Sequence, residues 1–229
     1  GAGYIAVELA GVLNTLGSEV TMLLRRQHLL SGFDPLLRET LMEAMGDAGV
    51  NFLTCIHLAA VEEEGDGRLA LVSEDGTRTG GFDEVIWAVG REPATDSLGL
   101  DQTGVGTDEA GFIPVDDYQN TNAPGVYALG DVSGRTPLTP VAISAGRHLA
   151  DRLFGGRPDA HQDYADIPTV VFSHPPVATV GLSQEEAEEA YGQGGYRVYT
   201  TTFKDMYYAL CTRKVPTAMK VITVGPSER

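Results

Sequence analysis

The first six residues, GAGYIA, place small residues where a phosphate-binding turn needs them. In the pattern GxGxxA, Gly1 permits a tight turn and Gly3 lets the backbone approach a pyrophosphate. Ala6 is small enough for the following helix to pack closely on a strand, and the first amides of that helix attract negative charge. Glycine turns before helices are common, so an ordinary turn is the alternative. The chemistry that this pattern favours is dinucleotide binding.

Two adjacent arginines, Arg25 and Arg26, follow the strand that we predict after this helix. About 20 residues past the glycines, an NAD-binding fold offers an acidic side chain to the ribose 2′-hydroxyl. Here Glu19 lies at the wrong end of the predicted strand, and guanidinium groups stand in place of the acid. A guanidinium binds phosphate oxygens through two parallel hydrogen bonds. The pair therefore favours the 2′-phosphate of NADPH, with a pair of solvated surface arginines as the alternative.

A third pattern lies at Gly130-Asp131, which ends a short apolar run. A carboxylate at the end of a strand can bind a ribose or ribityl hydroxyl, although an Asx turn or a helix cap is the alternative. The segment 138–142 then begins a predicted helix, whose first amides can stabilise negative charge on a ring system. The sequence therefore predicts a second cofactor-binding region here.

Other chemistries find little support in the sequence. The five histidines show neither HxH nor HExxH spacing, and no GxSxG motif occurs, so neither a metal site nor the simplest hydrolase is indicated. Cys55 and Cys211 form no CxxC or CxxxxC pair. The formal net charge of −16 argues against nucleic acid and anionic membranes as partners. No apolar run reaches the roughly 20 residues that a membrane helix needs.

The elements that must position these residues alternate as in an α/β nucleotide-binding domain. The first helix (4–16) places Ile5, Leu9, Val12, Leu13 and Leu16 on one face. A strand (19–24), a helix begun by Asp34-Pro35 and a strand (50–53) follow, and then an antiparallel meander of β-type runs at 60–64, 69–74 and 82–88. Further on we predict a strand at 125–129, a helix at 137–154, strands at 169–172, 177–180, 196–203 and 219–224, and a helix at 183–191 capped by Ser183 and Glu186.

The chain resembles the FAD-dependent pyridine nucleotide–disulfide oxidoreductases in six motifs that follow in order: GAGYIAVE (1–8), LLRR (23–26), AVGREP (88–93), YQNTNAPGVYALGDV (118–132), LTPVAISAGR (138–147) and IPTVVFSHPPVATVGL (167–182). The resemblance extends over nearly the whole chain and is greatest to the members that reduce glutathione disulfide. It implies an α/β fold: a Rossmann-like NADPH-binding domain with an antiparallel meander insertion (1–93), part of an FAD-binding domain (94–164) and the start of an α+β dimerisation domain (165–229).

The resemblance also implies roles for individual residues. It implies NADPH contacts at Ala2, Ile5, Glu8, Arg25 and Gly90, with Tyr4 as the aromatic residue that gates the nicotinamide pocket. It implies FAD contacts at Asp131 and Thr139, and nicotinamide-side positions at Pro137 and Val170. It implies glutathione contacts at Arg147, which can pair with a carboxylate, and at Phe203, Met206 and Tyr207.

The sequence departs from the family pattern in two respects. Ser31 replaces the family's second 2′-phosphate arginine, and Arg26 is the candidate to compensate. The redox-active CxxxxC pair, the first flavin motif and the His–Glu acid/base pair are not among these residues, so we expect no catalytic residue within them. We also expect 1–229 alone to be aggregated or molten, because the strand that normally precedes Gly1 is not among these residues and its neighbours in the sheet would be left unpaired.

We therefore expect a segment of a cytoplasmic, homodimeric flavoenzyme with FAD and NADPH as cofactors and glutathione disulfide as substrate. One alternative is another reductase of this architecture, acting on trypanothione, thioredoxin or mercuric ion. A second alternative is a nucleotide-binding remnant without catalysis.

Overall fold

The structure, a computed structural model, describes residues 1–212 and 214–228. Its helices are α1 (Tyr4–Thr15), α2 (Pro35–Asp47), α3 (Thr139–Phe154) and α4 (Gln184–Tyr191). Its strands are β1 (Thr21–Leu23), β2 (Asn51–Leu53), β3 (Leu58–Glu63), β4 (Leu69–Ser73), β5 (Arg78–Phe82), β6 (Thr169–Val171), β7 (Val177–Thr179), β8 (Tyr196–Phe203) and β9 (Thr217–Val224). The predicted α/β fold is confirmed.

Backbone contacts divide the chain into two compact units. The first joins Gly1–Gly90 to the chain from Pro168 onward, and the second is Arg91–Ile167. The division into three domains at 93/94 and 164/165 stays a prediction.

The core of the first unit lies around the parallel pair β1–β2. Apolar side chains of α1, α2 and the loop after β1 are almost wholly buried there, among them Val7, Leu24, Leu29, Leu41 and Met45. The amide of Leu24 donates to the carbonyl of Leu53 at 2.8 Å, which extends the pairing past the end of β1. This packing holds the carboxyl end of β1 close to the start of α1.

Helix α1 buries a different face from the one that the sequence predicted. Its buried residues are Val7, Ala10 and Gly11. The predicted face is largely exposed, and Leu16 at its end is 78% exposed. The helix is apolar on both sides, so periodicity could not choose between them.

Two of the predicted strands are wrong: one is displaced along the chain and the other is reduced to a single bridge. The meander β3–β4–β5 is antiparallel as predicted, but its third strand is β5 at Arg78–Phe82 and not 82–88. In the described part of the chain no strand pairs with 83–88, and a strand needs a neighbour for its N–H and C=O groups. The predicted strand at 125–129 is reduced to one bridge between Asn120 and Tyr127.

Local helix signals were more reliable. The Asp34 side chain accepts a hydrogen bond from the amide of Leu36 at 2.9 Å, and Pro35 begins α2. In α4 the predicted capping box is present, because Ser183 and Glu186 each bind the other's backbone amide. Strands β8 and β9 form one antiparallel hairpin over their full length.

Candidate functional site

The glycine turn before α1 contains two glycines with different surroundings. A Cβ atom added to Gly1 would lie 2.0 Å from the carbonyl oxygen of Ala88, so no side chain fits there. A Cβ atom added to Gly3 would meet no atom within 4 Å. Gly3 directly precedes α1, which has no side-chain cap. Open space in front of uncapped helix amides fits the pyrophosphate of a dinucleotide.

The loop between β1 and α2 lies against this turn. The amide of Leu30 donates to the carbonyl of Ala2 at 2.8 Å. Arg25 and Arg26 are both exposed, and neither forms an ion pair with any described residue. The loop therefore presents unpaired positive charge next to the phosphate-binding turn.

Glu8, one turn into α1, lies next to the strand that carries Val170. Its Oε1 accepts a hydrogen bond from the amide of Phe172 at 2.8 Å. Val170 is half-exposed in β6, whereas its neighbour Val171 is buried in the core. The structure thus brings Glu8 and Val170 to one side of the unit.

The remaining predicted contacts of this unit lie at the two ends of its first segment. Ala2 and Tyr4 pack against the core, and Ile5 is half-buried on α1. Gly90 is exposed where the segment ends.

In the second unit, Asp131 lies in a 3-10 turn formed by Gly130–Ser133. Its Oδ2 accepts a hydrogen bond from Nη2 of Arg91 at 2.9 Å, and both side chains are about half exposed. A Cβ atom added to Gly130 would lie 3.2 Å from Cβ of Ala142, so this turn lies close to the first turns of α3. Helix α3 begins at Thr139 without a side-chain cap, and Pro137 is exposed just before it. These groups suit a ligand that offers hydroxyl donors and partial negative charge.

One open face of α3 contains Arg147. The residues of this face are Pro140, Ile143, Ser144, Arg147 and His148. Arg147 is exposed and pairs with no carboxylate of the described residues. Nδ1 of His148 is buried and has no hydrogen-bond partner there. The exposed Arg147 guanidinium suits a carboxylate, which it can bind through two parallel hydrogen bonds.

The other predicted substrate residues belong to the first unit. Phe203 ends β8, and Met206 and Tyr207 lie in the 3-10 turn that follows. The side chain of Asp205 caps this turn at the amide of Tyr208. Met206 is 90% exposed and Tyr207 is 79% exposed, so the turn presents an apolar surface.

Sequence reasoning missed three candidate residues. Arg91 lies in the motif AVGREP (88–93), but nothing in the spacing links it to Asp131, 40 positions later. His148 was set aside with the other histidines, and its only signal is its place beside Arg147. Lys220, which pairs with Asp34, carried no signal at all. Among the described residues no cluster of three metal-binding side chains occurs, and none of the helices there is long and apolar enough to cross a membrane.

The first unit has a glycine turn, then helix α1, then the parallel strand pair β1–β2. This order defines a dinucleotide-binding class of α/β protein. Residues 1–146 match the model of the family described as pyridine nucleotide-disulphide oxidoreductase, and residues 167–229 match the dimerisation domain of the same family. The chain belongs to the pyridine nucleotide-disulphide oxidoreductase family.

Among curated proteins, the chain is 44% identical to a glutathione reductase of Schizosaccharomyces pombe and 41% identical to one of Yarrowia lipolytica. Each match covers 100% of this chain and 50% of the relative, so the chain spans about half the length of the curated relatives it matches. Among solved structures, the Cu(II) complex of RclA, an HOCl-induced flavoprotein disulfide reductase from Escherichia coli, matches with a TM-score of 0.87 and 27% identity. That match covers 100% of this chain and 51% of the RclA chain.

Proposed function

We propose that this chain forms the NADPH-binding region, part of the FAD-binding region and part of the dimer interface of a cytoplasmic, homodimeric reductase of glutathione disulfide. The observation that carries the proposal is the glycine turn with open space at Gly3, next to unpaired Arg25 and Arg26. The glutathione reductases among the relatives support the substrate. The match to a dimerisation domain and the exposed turn at Met206 and Tyr207 support a homodimer.

The coenzyme-side residues have distinct tasks in this proposal. The first amides of α1 bind the pyrophosphate, Arg25 and Arg26 bind the 2′-phosphate, and Glu8 and Val170 flank the nicotinamide end. Bound FAD would supply the two-electron chemistry that links NADPH to a disulfide. Asp131 would hold a hydroxyl of the flavin side chain, and the amides at the start of α3, near Thr139, would stabilise negative charge on the flavin ring. Arg147 binds a carboxylate of the substrate.

The coenzyme assignment is tested by replacing both loop arginines with alanine in the protein that contains this chain. Loss of the guanidinium contacts is expected to raise KM for NADPH about 10- to 100-fold, since a hydrogen bond to a charged group contributes roughly 1.5–3 kcal/mol. KM for NADH, which lacks the 2′-phosphate, should stay within about twofold. Arg68→Ala, which removes an exposed arginine of the meander, is the matched control. Equal effects on both coenzymes would contradict the assignment.

The acceptor is tested by comparing NADPH oxidation with glutathione disulfide, oxidised thioredoxin and a metal ion such as Cu²⁺ or Hg²⁺. We expect glutathione disulfide to give the highest kcat/KM. A metal-ion reductase is the second candidate, because the matching structure of RclA is a Cu(II) complex. A preference for Cu²⁺ or Hg²⁺ would favour that candidate and overturn the glutathione assignment.

A further inference from the structure

A buried ion pair joins the first and last segments of the first unit. Nζ of Lys220 in β9 donates to Oδ1 of Asp34 at 2.7 Å, and the two side chains are only 13% and 8% exposed. The same Nζ donates to Oε1 of Gln184 at 3.0 Å, and the Gln184 amide donates to Oδ2 of Asp34 at 3.2 Å. Asp34 thus accepts hydrogen bonds from both the dimerisation segment and its own helix.

Asp34 is also the last residue of the loop that carries Arg25 and Arg26. The loop is held in its middle by buried Leu29 and Leu30, and the Leu30 amide binds the glycine turn. At its end, Asp34 caps α2 and pairs with Lys220. A loop fixed at both points has fewer conformations to lose when a phosphate binds between its arginines.

We propose that Lys220 is a positioning residue for coenzyme recognition: through Asp34, the dimerisation segment fixes the arginine loop in the conformation that receives the 2′-phosphate. The inference rests on the proposed function, since it requires that Arg25 and Arg26 bind that phosphate. A guanidinium displaced by about 1 Å loses much of its effect, which is why a residue that does not touch the coenzyme can set its affinity.

Two substitutions separate the ion pair from the helix cap. Asp34→Asn keeps an oxygen that can cap α2 but removes the charge. Lys220→Met removes the cation and keeps a long apolar side chain in its place. Lys220→Arg retains the charge and serves as the conservative variant.

The experiment measures kcat and KM for NADPH and for NADH in the protein that contains this chain. It also measures Kd for NADPH from its fluorescence on binding. Asp34→Asn and Lys220→Met are each expected to raise KM and Kd for NADPH about tenfold, which corresponds to a loss of roughly 1.4 kcal/mol of binding free energy. The value of kcat and the KM for NADH should remain within about twofold, and the double variant should lose no more than either single variant. Lys220→Arg should recover most of the affinity.

Arg197→Met is the matched control, because it removes one cation from an exposed ion pair on the same β8–β9 hairpin. The proposal is overturned if Asp34→Asn leaves the NADPH affinity unchanged, or if both coenzymes weaken equally, which would indicate general support of the unit. Should Lys220→Met fail to fold, Asp34→Asn decides alone. If replacing Arg25 and Arg26 weakens NADPH binding but Asp34→Asn and Lys220→Met do not, only this inference fails. If replacing Arg25 and Arg26 leaves NADPH binding unchanged, the coenzyme assignment fails as well.

Discussion

Gly1 and Gly3 belong to one turn, but only Gly1 is needed by the protein's own packing. Gly1 cannot carry a Cβ atom beside the Ala88 carbonyl. Gly3 has an extended backbone with φ −81° and ψ 175°, which any residue adopts, and its surroundings are open. We therefore expect Gly3→Ala to leave the melting temperature within about 2 °C, because surface substitutions usually change stability by less than about 0.5 kcal/mol. Its added methyl group should still weaken NADPH binding at least about tenfold, because it occupies the space facing the pyrophosphate.

Gly1→Ala is the matched comparison and should lower the melting temperature, because the backbone around Ala88 must move. Thermal unfolding and NADPH titration of both variants, made in the protein that contains this chain, give the two readouts. If Gly3→Ala left the NADPH affinity unchanged, the open space would not be a ligand site.

At the scale of elements, the cap of α2 makes the stability of the first unit depend on pH. Burial raises the pKa of Asp34, but hydrogen bonds from Lys220, Leu36 and Gln184 outweigh it, so the net pKa lies below its usual value of 3.8. A carboxyl group with a lowered folded-state pKa stabilises the fold above its unfolded pKa and loses that effect as pH falls through the folded pKa. Asp34→Asn should therefore cost about 3 kcal/mol at pH 7, where it leaves Lys220 without its anion.

The difference between wild type and Asp34→Asn should begin to shrink as pH falls below about 4, because the carboxyl group of the unfolded chain then takes up a proton and stabilises the unfolded state. The difference should continue to shrink until the folded carboxyl group, whose pKa is lower, is also protonated. Urea unfolding of the protein that contains this chain, at several pH values from 7 to 3, measures this difference. A difference that stays constant across this range would show that the charge of Asp34 contributes nothing.

Elements defined by local signals were predictable, and those defined by distant partners were not. The caps at Asp34 and Ser183 and the meander turns depend on residues within a few positions of each other. The strand at 82–88 was wrong because a strand exists only beside a neighbour. The glycine turn and the arginine pair, like the helix caps, consist of residues close together in the sequence, so the sequence alone predicted them as candidates. The partners of Asp34 and Asp131 could not be predicted from the sequence, because they lie 186 and 40 positions away.

At the scale of the whole molecule, large apolar side chains remain exposed in several places. Leu16 ends the open face of α1, Trp87 lies in the unpaired segment and is 64% exposed, and Leu210 after the 3-10 turn is 99% exposed. Monomeric proteins rarely expose extended apolar patches, which instead mark interfaces. These surfaces fit a chain that spans about half the length of the curated relatives it matches.

A polypeptide of residues 1–229 alone is therefore expected to be aggregated or molten. An ordinary domain has only about 5–15 kcal/mol of net stability, and the exposed side chains of Trp87 and Leu210 do not contribute the apolar burial that stabilises a fold. Size-exclusion chromatography should give a broad high-mass peak, and heating should produce no sharp transition. Met206→Gln combined with Leu210→Gln should reduce the aggregation without restoring a sharp transition, because the segment around Trp87 remains unpaired. A monomeric peak with a cooperative thermal transition from wild-type 1–229 would refute the expectation, because the exposed surfaces would then be compatible with an independently stable fold.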